Sequence, residues 1–259
     1  MTETSYEFTR AITRAPCANI ISGLRAIDIG TPDLDLMRAH HADYVATLIQ
    51  TGATVIELPP LEEFPDSVFV EDTALCLPEG AILMRPGAPS RLGEVTHMAP
   101  HLRSQYDAVL EITDGFIEGG DILTTAKEIL VGLSARTNMA GVENLKSLVA
   151  DWGYTVRIVN TPEGVLHFKT DCSLLDANTI LSTTRLAATG CFDGYRVLHT
   201  SDGEDACANS IRYNQYVIMP AGFPKTTEML RNEGFDVREI GNSECAKLDG
   251  GMSCLSLRF

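Results

Sequence analysis

Cys254 is the first candidate for covalent chemistry in this 259-residue sequence. It lies in KLDGGMSCLSLRF, where Gly250 and Gly251 allow a tight turn just before the thiol. A thiol is a strong nucleophile once it is deprotonated, which requires a nearby base or cation. A free cysteine is more often a buried packing residue, so this segment alone leaves both interpretations open.

His167 is the candidate base for such a thiol. The alternation in VLHFK predicts a strand with Val165, His167 and Lys169 on one face and Leu166 with Phe168 on the other. The histidine is therefore not on the apolar face. A structural or simply exposed histidine explains this segment equally well when it is considered alone.

Two segments place carboxylates among apolar or turn-forming residues. Glu118 lies in FIEGGDIL, and Glu71 with Asp72 lies in FPDSVFVEDTAL. A carboxylate in apolar surroundings needs a partner, either a structural arginine or a bound cation. The glycines after Glu118 lack the lysine of a phosphate-binding loop, so we exclude nucleotide binding. Metal-binding and serine-hydrolase motifs are missing from the sequence as well, and we expect no metal and no cofactor.

Composition narrows the class of protein. The length predicts one compact domain over residues 1–259. A formal net charge of −15 disfavours nucleic-acid and membrane partners. The seven cysteines contain no C-x-x-C pair, which favours a reducing compartment. The segment MTETSYEFTR lacks the pattern of a signal peptide, so we expect a cytoplasmic protein.

An internal repeat organises the chain. Three segments combine a helix, a glycine and a strand, and a valine follows each glycine by three residues: Gly52 and Val55, Gly153 and Val156, Gly234 and Val237. Two looser copies, around HMAPHLRSQYDAVLEI and GCFDGYRVLHTS, give about five units of roughly 50 residues, a period typical of propellers.

The first unit carries a detailed helix prediction. Thr31 and Pro32 are expected at its N-terminus. Helical spacing then places six residues on one face: Met37, His41, Tyr44, Val45, Leu48 and Ile49.

The candidate residues follow the repeat. Asp72 comes 20 residues after the glycine of the first unit, and Cys254 comes 20 after the glycine of the last. His167 follows the glycine of its unit by 14 residues, and Glu118 lies in a looser copy. Units arranged around an axis would bring these side chains together at one central site.

Seven segments, taken together, resemble the dimethylarginine dimethylaminohydrolase (dimethylargininase) family in its bacterial form, within the guanidino-group modifying, or pentein, superfamily: FPDSVFVEDTALC, RPGAPSR, IEGGDIL, VGLSARTN, VLHFKT, VIMPAGFPKT and LDGGMSCLSLRF. The resemblance implies an α/β fold, a five-fold pseudosymmetric propeller of ββαβ units around a polar channel. Arginine deiminases share this fold but add a helical domain, for which we expect no room here.

The resemblance also implies the catalytic roles. Cys254 would be the nucleophile and His167 the general acid and base, while Glu118 would orient and polarise them. Asp72 would hold the guanidinium group of the substrate. Glu71 belongs to the same pair of acidic residues and is grouped with the substrate-binding residues in a supporting role.

Further residues would recognise a free amino acid. The resemblance implies that Arg91 and Arg136 bind the α-carboxylate. Asp66 would receive the α-amino group together with the backbone carbonyls of Leu24 and Leu248. Since bidentate arginines suit a free carboxylate, the substrate is expected to be a small molecule rather than a protein.

The expected activity is hydrolysis of free Nω-methylated arginine to citrulline and dimethylamine or methylamine through a covalent cysteine intermediate. One alternative keeps the chemistry but takes arginine or another small guanidine. A second alternative is a non-catalytic binding module on the same propeller, which the presence of Cys254, His167 and Glu118 disfavours. The sequence is compatible with a monomer or a homodimer.

Overall fold

The computed structural model describes residues 5–259, so the first four residues of MTETSYEFTR lie outside it. No helix within this range is long and apolar enough to cross a membrane. The helices are α1 (Leu34–Gln50), α2 (Glu94–Arg103), α3 (Met139–Ala150), α4 (Thr184–Ala187), α5 (Pro224–Asn232) and α6 (Ser243–Ala246). The strands are β1 (Arg10–Arg14), β2 (Thr54–Leu58), β3 (Ala74–Leu77), β4 (Gly80–Leu83), β5 (Val109–Glu111), β6 (Ile122–Thr124), β7 (Ile129–Leu133), β8 (Val156–Asn160), β9 (Cys172–Leu174), β10 (Thr179–Ser182), β11 (Arg196–His199), β12 (Ile211–Tyr213), β13 (Tyr216–Pro220), β14 (Asp236–Ile240) and β15 (Leu257–Arg258).

The described strands form five three-stranded sheets of one design. In each, the middle strand pairs antiparallel with an inner strand and parallel with an outer strand. A helix connects the middle strand to its parallel neighbour, as parallel pairing requires a crossover. The orders are β15-β1-β2, β3-β4-β5, β6-β7-β8, β9-β10-β11 and β12-β13-β14. The predicted propeller of five ββαβ units is confirmed.

The two ends of the described chain close the ring. Strand β15 pairs with β1, with Ala11 opposite Arg258 and Ile12 opposite Leu257. The amide of Phe259 also donates to the carbonyl of Arg10 at 2.9 Å. One blade is therefore built from both ends of the described chain. The backbone of the inner strand β15 is hydrogen-bonded to β1 along one side.

The helix–glycine–strand repeat has a backbone cause. Gly52, Gly153 and Gly234 have φ values of +91°, +82° and +91°, which side chains of L-residues disfavour. Each glycine ends a helix and turns the chain into the outer strand of its blade, β2, β8 or β14. The two looser copies also form a helix and an outer strand. In one copy Ser104, rather than a glycine, follows helix α2, and in the other copy helix α4 is only four residues long.

Helix α1 departs from its prediction at both ends. Its N-cap is Asp33, whose side chain accepts hydrogen bonds from two amides of the first turn, so the start expected at Thr31 and Pro32 is wrong. Ile49 is 55% exposed, because at 100° per residue it lies at the edge of the buried face. The rest of that face is buried as expected: Met37, His41, Tyr44, Val45 and Leu48.

Helix α1 also anchors the segment that carries Cys254. The hydroxyl of Tyr44 donates to the carbonyl of Met252 at 3.0 Å and lies 2.7 Å from the hydroxyl of Ser256. Tyr44 is fully buried, so both contacts form in the core. The first helix of the chain thus fixes the backbone on either side of the candidate nucleophile.

A short 3₁₀ turn precedes the inner strand of every blade. The turns that introduce β3, β6, β9, β12 and β15 are Val70–Thr73, Gly119–Asp121, Phe168–Thr170, Asp205–Ala208 and Ser253–Leu255. The strand predicted for VLHFK is wrong, because this segment enters the third of these turns. Since the inner strands surround the axis, the five turns meet at its centre.

Buried His41 is expected to make the free energy of unfolding depend on pH. Burial lowers its pKa to about 4, and the Glu57 carboxylate is 3.8 Å away. A histidine kept neutral in the fold stabilises it above the unfolded pKa of about 6.5 and loses that contribution as the pH falls. We expect urea unfolding to show a loss of about 2 kcal/mol from this group between about pH 7 and pH 5.

The variant His41→Gln should lose less stability over that range, while the same change at exposed His97 should leave the pH dependence unaltered. Equal pH dependence in the wild type and His41→Gln would contradict this origin of the effect.

Candidate active site

The five turns bring together the residues singled out in the sequence. Asp72 lies in the first turn, His167 precedes the third, and Cys254 lies in the fifth. These three side chains line one cavity of about 170 Å³. Glu118 precedes the second turn and is fully buried next to the imidazole. Residues separated by up to 182 positions therefore share one site at the propeller axis.

His167 and Glu118 form the central pair. The imidazole Nε2 lies 2.6 Å from Glu118 Oε2, and both groups are buried. Burial disfavours the imidazolium, but the carboxylates of Asp72, Asp121 and Glu118 outweigh it and raise the pKa of His167 to about 9. Burial also opposes the charged form of Glu118, and the histidine overcomes this to hold its pKa at about 2. At neutral pH the pair is an imidazolium bound to a carboxylate.

Glu118 is fully engaged by the protein. Its second oxygen, Oε1, accepts from the amides of Gly87 and Ala88 at 3.0 and 3.2 Å and lies 3.4 Å from Nη1 of Arg136. Charge-assisted hydrogen bonds of this kind fix the orientation of a carboxylate. The structure therefore gives Glu118 the geometry of a group that orients His167 rather than one that faces the open cavity.

The Cys254 thiol is held by its own turn and by Asn209. The amide of Gly251 lies 3.4 Å from Sγ, and the side-chain amide of Asn209 lies 3.9 Å from it. Asn209 also accepts from the amide of Ser253 at 2.9 Å. Burial, with Glu71 and Asp72 nearby, raises the pKa of Cys254 to about 12. This shift favours the neutral thiol over the thiolate.

The sequence reasoning missed Asn209. It caps the end of the fourth turn, Asp205–Ala208, and its side-chain amide lies next to the Cys254 thiol. The only signal was its place in the repeat, since an isolated asparagine carries no spacing pattern of its own.

Arg91 braces Asp72. Its Nη1 donates to Asp72 Oδ2 at 2.5 Å, and its Nε and Nη2 make a bidentate pair with Glu94 at 3.0 and 2.8 Å. The other oxygen of Asp72 accepts from the amide of Gly120 at 2.9 Å. Arg91 also donates to the carbonyl of Phe69, so most of its five N–H groups are engaged within the protein. Arg91 lines the cavity and fixes the position of the Asp72 carboxylate, which also lines it.

The groups expected to recognise an amino acid line the same cavity. Arg136, Asp66, Leu24 and Leu248 all line it. One oxygen of Asp66 accepts from the amide of Leu24 at 2.9 Å, and burial raises the pKa of this carboxyl. The Arg136 side chain is one-fifth exposed, so its guanidinium is accessible from the cavity.

Glu71 points to the opposite side of its turn. It accepts from Lys169, Arg258 and Ser253 at 2.5, 2.7 and 2.7 Å, and it does not line the cavity that contains Cys254. Both oxygens of Glu71 are therefore engaged by buried donors of the protein. Glu71 supports its turn in this structure, and its grouping with the substrate-binding residues stays a prediction.

Two glycines allow the turns to pack this closely. A Cβ at Gly119 would lie 2.0 Å from the carbonyl of Glu71, and a Cβ at Gly120 would lie 2.6 Å from His167 Nδ1. Both distances are below van der Waals contact, so a side chain at either position would push the turns apart. The glycine pair after Glu118 therefore has a packing role.

The variant Gly120→Ala should displace the imidazole and lower kcat by about 10²-fold, because small misplacements of reacting groups are costly. Steady-state kinetics with the natural substrate measures the loss of kcat, and thermal unfolding measured in parallel shows whether the variant is folded. A folded variant with the wild-type kcat would show that the contact with His167 has no catalytic consequence.

A metal ion would have to compete with a proton at this site. Asp72, Glu118 and His167 offer ligand atoms that lie within 4.8 Å of one another. The 2.6 Å hydrogen bond between His167 and Glu118 already holds a proton between two of these atoms. The expectation of a metal-independent site stays a prediction.

Comparison with known proteins identifies the family. Residues 33–216 match the family described as arginine deiminase. The N(G),N(G)-dimethylarginine dimethylaminohydrolase of Pseudomonas aeruginosa is 36% identical over 254 residues, which are 97% of this chain and 100% of the relative. The chain belongs to the dimethylarginine dimethylaminohydrolase family. A member from Streptomyces coelicolor is 30% identical and is matched over 96% of both chains.

Solved structures of the dimethylarginine dimethylaminohydrolase family share the fold closely. A mutant of the P. aeruginosa enzyme in complex with citrulline superimposes with a TM-score of 0.94 at 35% identity, over 98% of this chain and 100% of that one. The N-terminal domain of the cyanobacterial arginine dihydrolase ArgZ gives a TM-score of 0.84 at 20% identity, over 96% of both chains. The second likeness extends to the fold alone.

Proposed function

We propose that the protein hydrolyses free Nω-methylated arginine to citrulline and dimethylamine or methylamine. The observation that carries this proposal is the cavity itself, which is lined by both a braced carboxylate, Asp72, and a buried thiol, Cys254. A planar cation held by the carboxylate would present its central carbon to the thiol. The relatives named above act on dimethylarginine by name, and one was solved with citrulline, which supports the same substrate class here.

The substrate would activate its own nucleophile. The pKa of Cys254 is about 12 in the ligand-free protein, chiefly because the thiol is buried and secondly because carboxylates surround it. A guanidinium bound by Asp72 brings a positive charge next to Sγ, and an opposite charge favours the thiolate. The proton leaves to solvent as the cation binds, so the nucleophile forms only when the substrate is present.

The chemistry then has two halves that use His167 in opposite ways. The thiolate of Cys254 attacks the guanidinium carbon, and the C–N bond to the methylated amine breaks as the imidazolium donates a proton to that nitrogen. The product of this half is a covalent S-linked amidino intermediate. In the second half, neutral His167 takes a proton from water, the water oxygen bonds to the carbon, and the C–S bond breaks to release citrulline.

Recognition of a free amino acid rests on other residues that line the cavity. Arg136 has an accessible guanidinium, and the α-carboxylate is the group it suits best. Arg91 lines the same cavity and adds positive charge, although most of its donors hold Asp72 and Glu94. Asp66 has one oxygen that accepts from Leu24 and a second available for the α-amino group.

We further propose that residues 1–259 act as one catalytic domain in a reducing, cytoplasmic setting, with a small molecule as substrate. Pairing of β15 with β1 supports a single closed unit. All seven cysteines are unpaired, which is the state expected where disulfides are reduced.

The experiment is a product assay with the purified protein and no added metal or nucleotide. Asymmetric dimethylarginine and arginine are incubated separately, and citrulline, dimethylamine and ammonia are measured. Citrulline with dimethylamine, formed faster than ammonia from arginine, is the expected result. Faster release of ammonia from arginine would move the activity to an arginine deiminase, and no citrulline from either would overturn the proposal.

A further inference from the structure

A second, larger cavity lies on the propeller axis, on the other side of the five turns. Its volume is about 980 Å³. Residues of all five inner strands, β3, β6, β9, β12 and β15, line it, so it is the axial channel of the propeller. This size is within the range of cavities that bind small molecules.

The turns separate this channel from the catalytic cavity. Glu71, Lys169 and Ser253 line the channel, while Asp72, His167 and Cys254 line the smaller cavity. Each channel residue is one or two positions from its counterpart. The end of the channel is therefore the reverse side of the turns that carry the candidate catalytic residues.

The inner end of the channel is cationic. Glu71 is held between Lys169 and Arg258, and Arg258 also donates to the carbonyls of Ser253 and Ser256. Lys169 makes one hydrogen bond within the described chain, to Glu71, although an ammonium group has three donors. Its side chain is only one-tenth exposed, so the remaining donors face the channel rather than bulk solvent.

Ser173 supplies an independent sign of a ligand. Its hydroxyl is buried and has no hydrogen-bond partner in residues 5–259, and the residue lines the channel. Its neighbours in β9, Cys172 and Leu174, belong to a core cluster, and of these two only Leu174 also lines the channel. A buried hydroxyl without a partner is costly, and a ligand oxygen would satisfy it.

The walls of the channel are apolar and its charge contrasts with the rest of the protein. Leucines, isoleucines and five aromatic residues line it: Tyr6, Phe8, Tyr106, Tyr154 and Phe259. The charged residues of the lining are three cations and two carboxylates: Lys169, Arg212, Arg258, Glu7 and Glu71. Their formal sum is +1, within a protein whose net charge is −15. The net positive charge of the lining favours an anion in the channel.

We propose that the axial channel is a second binding site, for a small monocarboxylate with an apolar body, whose carboxylate is bound by Lys169 and Ser173. The apolar chain of such a ligand lies between the five inner strands. Because the turns separate the two cavities, this ligand binds without competing with the substrate.

Calorimetric titration of the full chain tests the proposal with three probes of equal length, octanoate, 1-octanol and octylamine. Octanoate should bind at least about tenfold more tightly than 1-octanol, since a hydrogen bond to a charged group is worth that much, and octylamine should not bind. Equal affinity for octanoate and 1-octanol, or no binding of octanoate, overturns the proposal.

Three variants locate the site. Ser173→Ala should weaken octanoate binding about fivefold, and Lys169→Met about tenfold or more. Glu71 keeps Arg258 and Ser253 as partners in the lysine variant, and thermal unfolding verifies that it folds. The control Arg136→Ala changes an arginine of the catalytic cavity and should leave octanoate affinity unchanged, as should saturating citrulline. Octanoate binding that is lost in Arg136→Ala and kept in Ser173→Ala would place the ligand in the catalytic cavity and overturn the proposal, whatever the outcome of the product assay.

Discussion

Replacement of Cys254 by serine should lower kcat by at least about 10⁴-fold, with the fold and substrate binding retained. Serine has nearly the shape of cysteine, but its hydroxyl is far less acidic than a thiol. The cation that lowers the pKa of a thiol enough to form a thiolate leaves an alcohol protonated. Citrulline release in single-turnover and steady-state assays measures the loss, and calorimetry with a non-reacting analogue measures binding.

Cys245 provides a matched control for this change. It lies nine residues earlier in the same core cluster, and burial raises the pKa of its thiol to about 12 as well. It does not line the catalytic cavity. Cys245→Ser should therefore keep kcat within about threefold of the wild type, with at most a modest loss of stability. Comparable activity in both serine variants would exclude Cys254 as the nucleophile.

Neutralising Glu118 should have the second-largest effect. Glu118→Gln removes the charge opposite the imidazolium and replaces its 2.6 Å acceptor with a weaker one. The pKa of His167, about 9 in the intact pair, should then fall. Because the first half of the reaction needs the imidazolium, kcat should fall by about 10²- to 10³-fold.

The pH profile distinguishes this effect from loss of packing. The imidazolium is present below the pKa of His167, so a lowered pKa makes activity decline at lower pH in the variant than in the wild type. Measurement of kcat from about pH 6 to pH 9 records the shift. The control Glu128→Gln removes a carboxylate that pairs with Arg157 on the outside of a blade, and it should change neither kcat nor its pH profile. An unshifted profile in Glu118→Gln would contradict the role of the pair.

The sequence was most informative where backbone conformation demanded one residue type. The glycines at 52, 153 and 234 each sit at a positive φ, so their spacing to the following strand repeats and predicts the blades. The blade β9-β10-β11 was hard to recognise because its helix, α4, has four residues and gives no periodic signal.

The alternation of polar and apolar residues gave a wrong strand prediction where tertiary contacts determine the backbone conformation. VLHFK alternates like a strand, yet Phe168–Thr170 is a 3₁₀ turn. The ring of Phe168 is fully buried in the neighbouring core cluster, and the amide of Phe168 donates to Asp121 of the preceding turn at 2.8 Å. The core cluster and Asp121 come from other parts of the chain, so the five residues VLHFK alone do not reveal these contacts.

The partners of Glu71 likewise could not be predicted from a short segment of the sequence. Lys169 and Arg258 lie 98 and 187 residues away, and no spacing rule connects them to a carboxylate in the first blade. The pairing with Asp72 in the sequence suggested a shared role, but consecutive residues in a tight turn point to opposite sides. The two acidic residues consequently face different cavities.

Detection of the covalent intermediate tests the role of Cys254 as the nucleophile. The protein is mixed with asymmetric dimethylarginine, quenched in acid during turnover, and analysed by intact mass spectrometry and peptide mapping. The proposed mechanism predicts a mass increase equal to the substrate less dimethylamine, on the peptide that contains Cys254. Citrulline formed at the full rate with no adduct, or with the adduct on another residue, would contradict it.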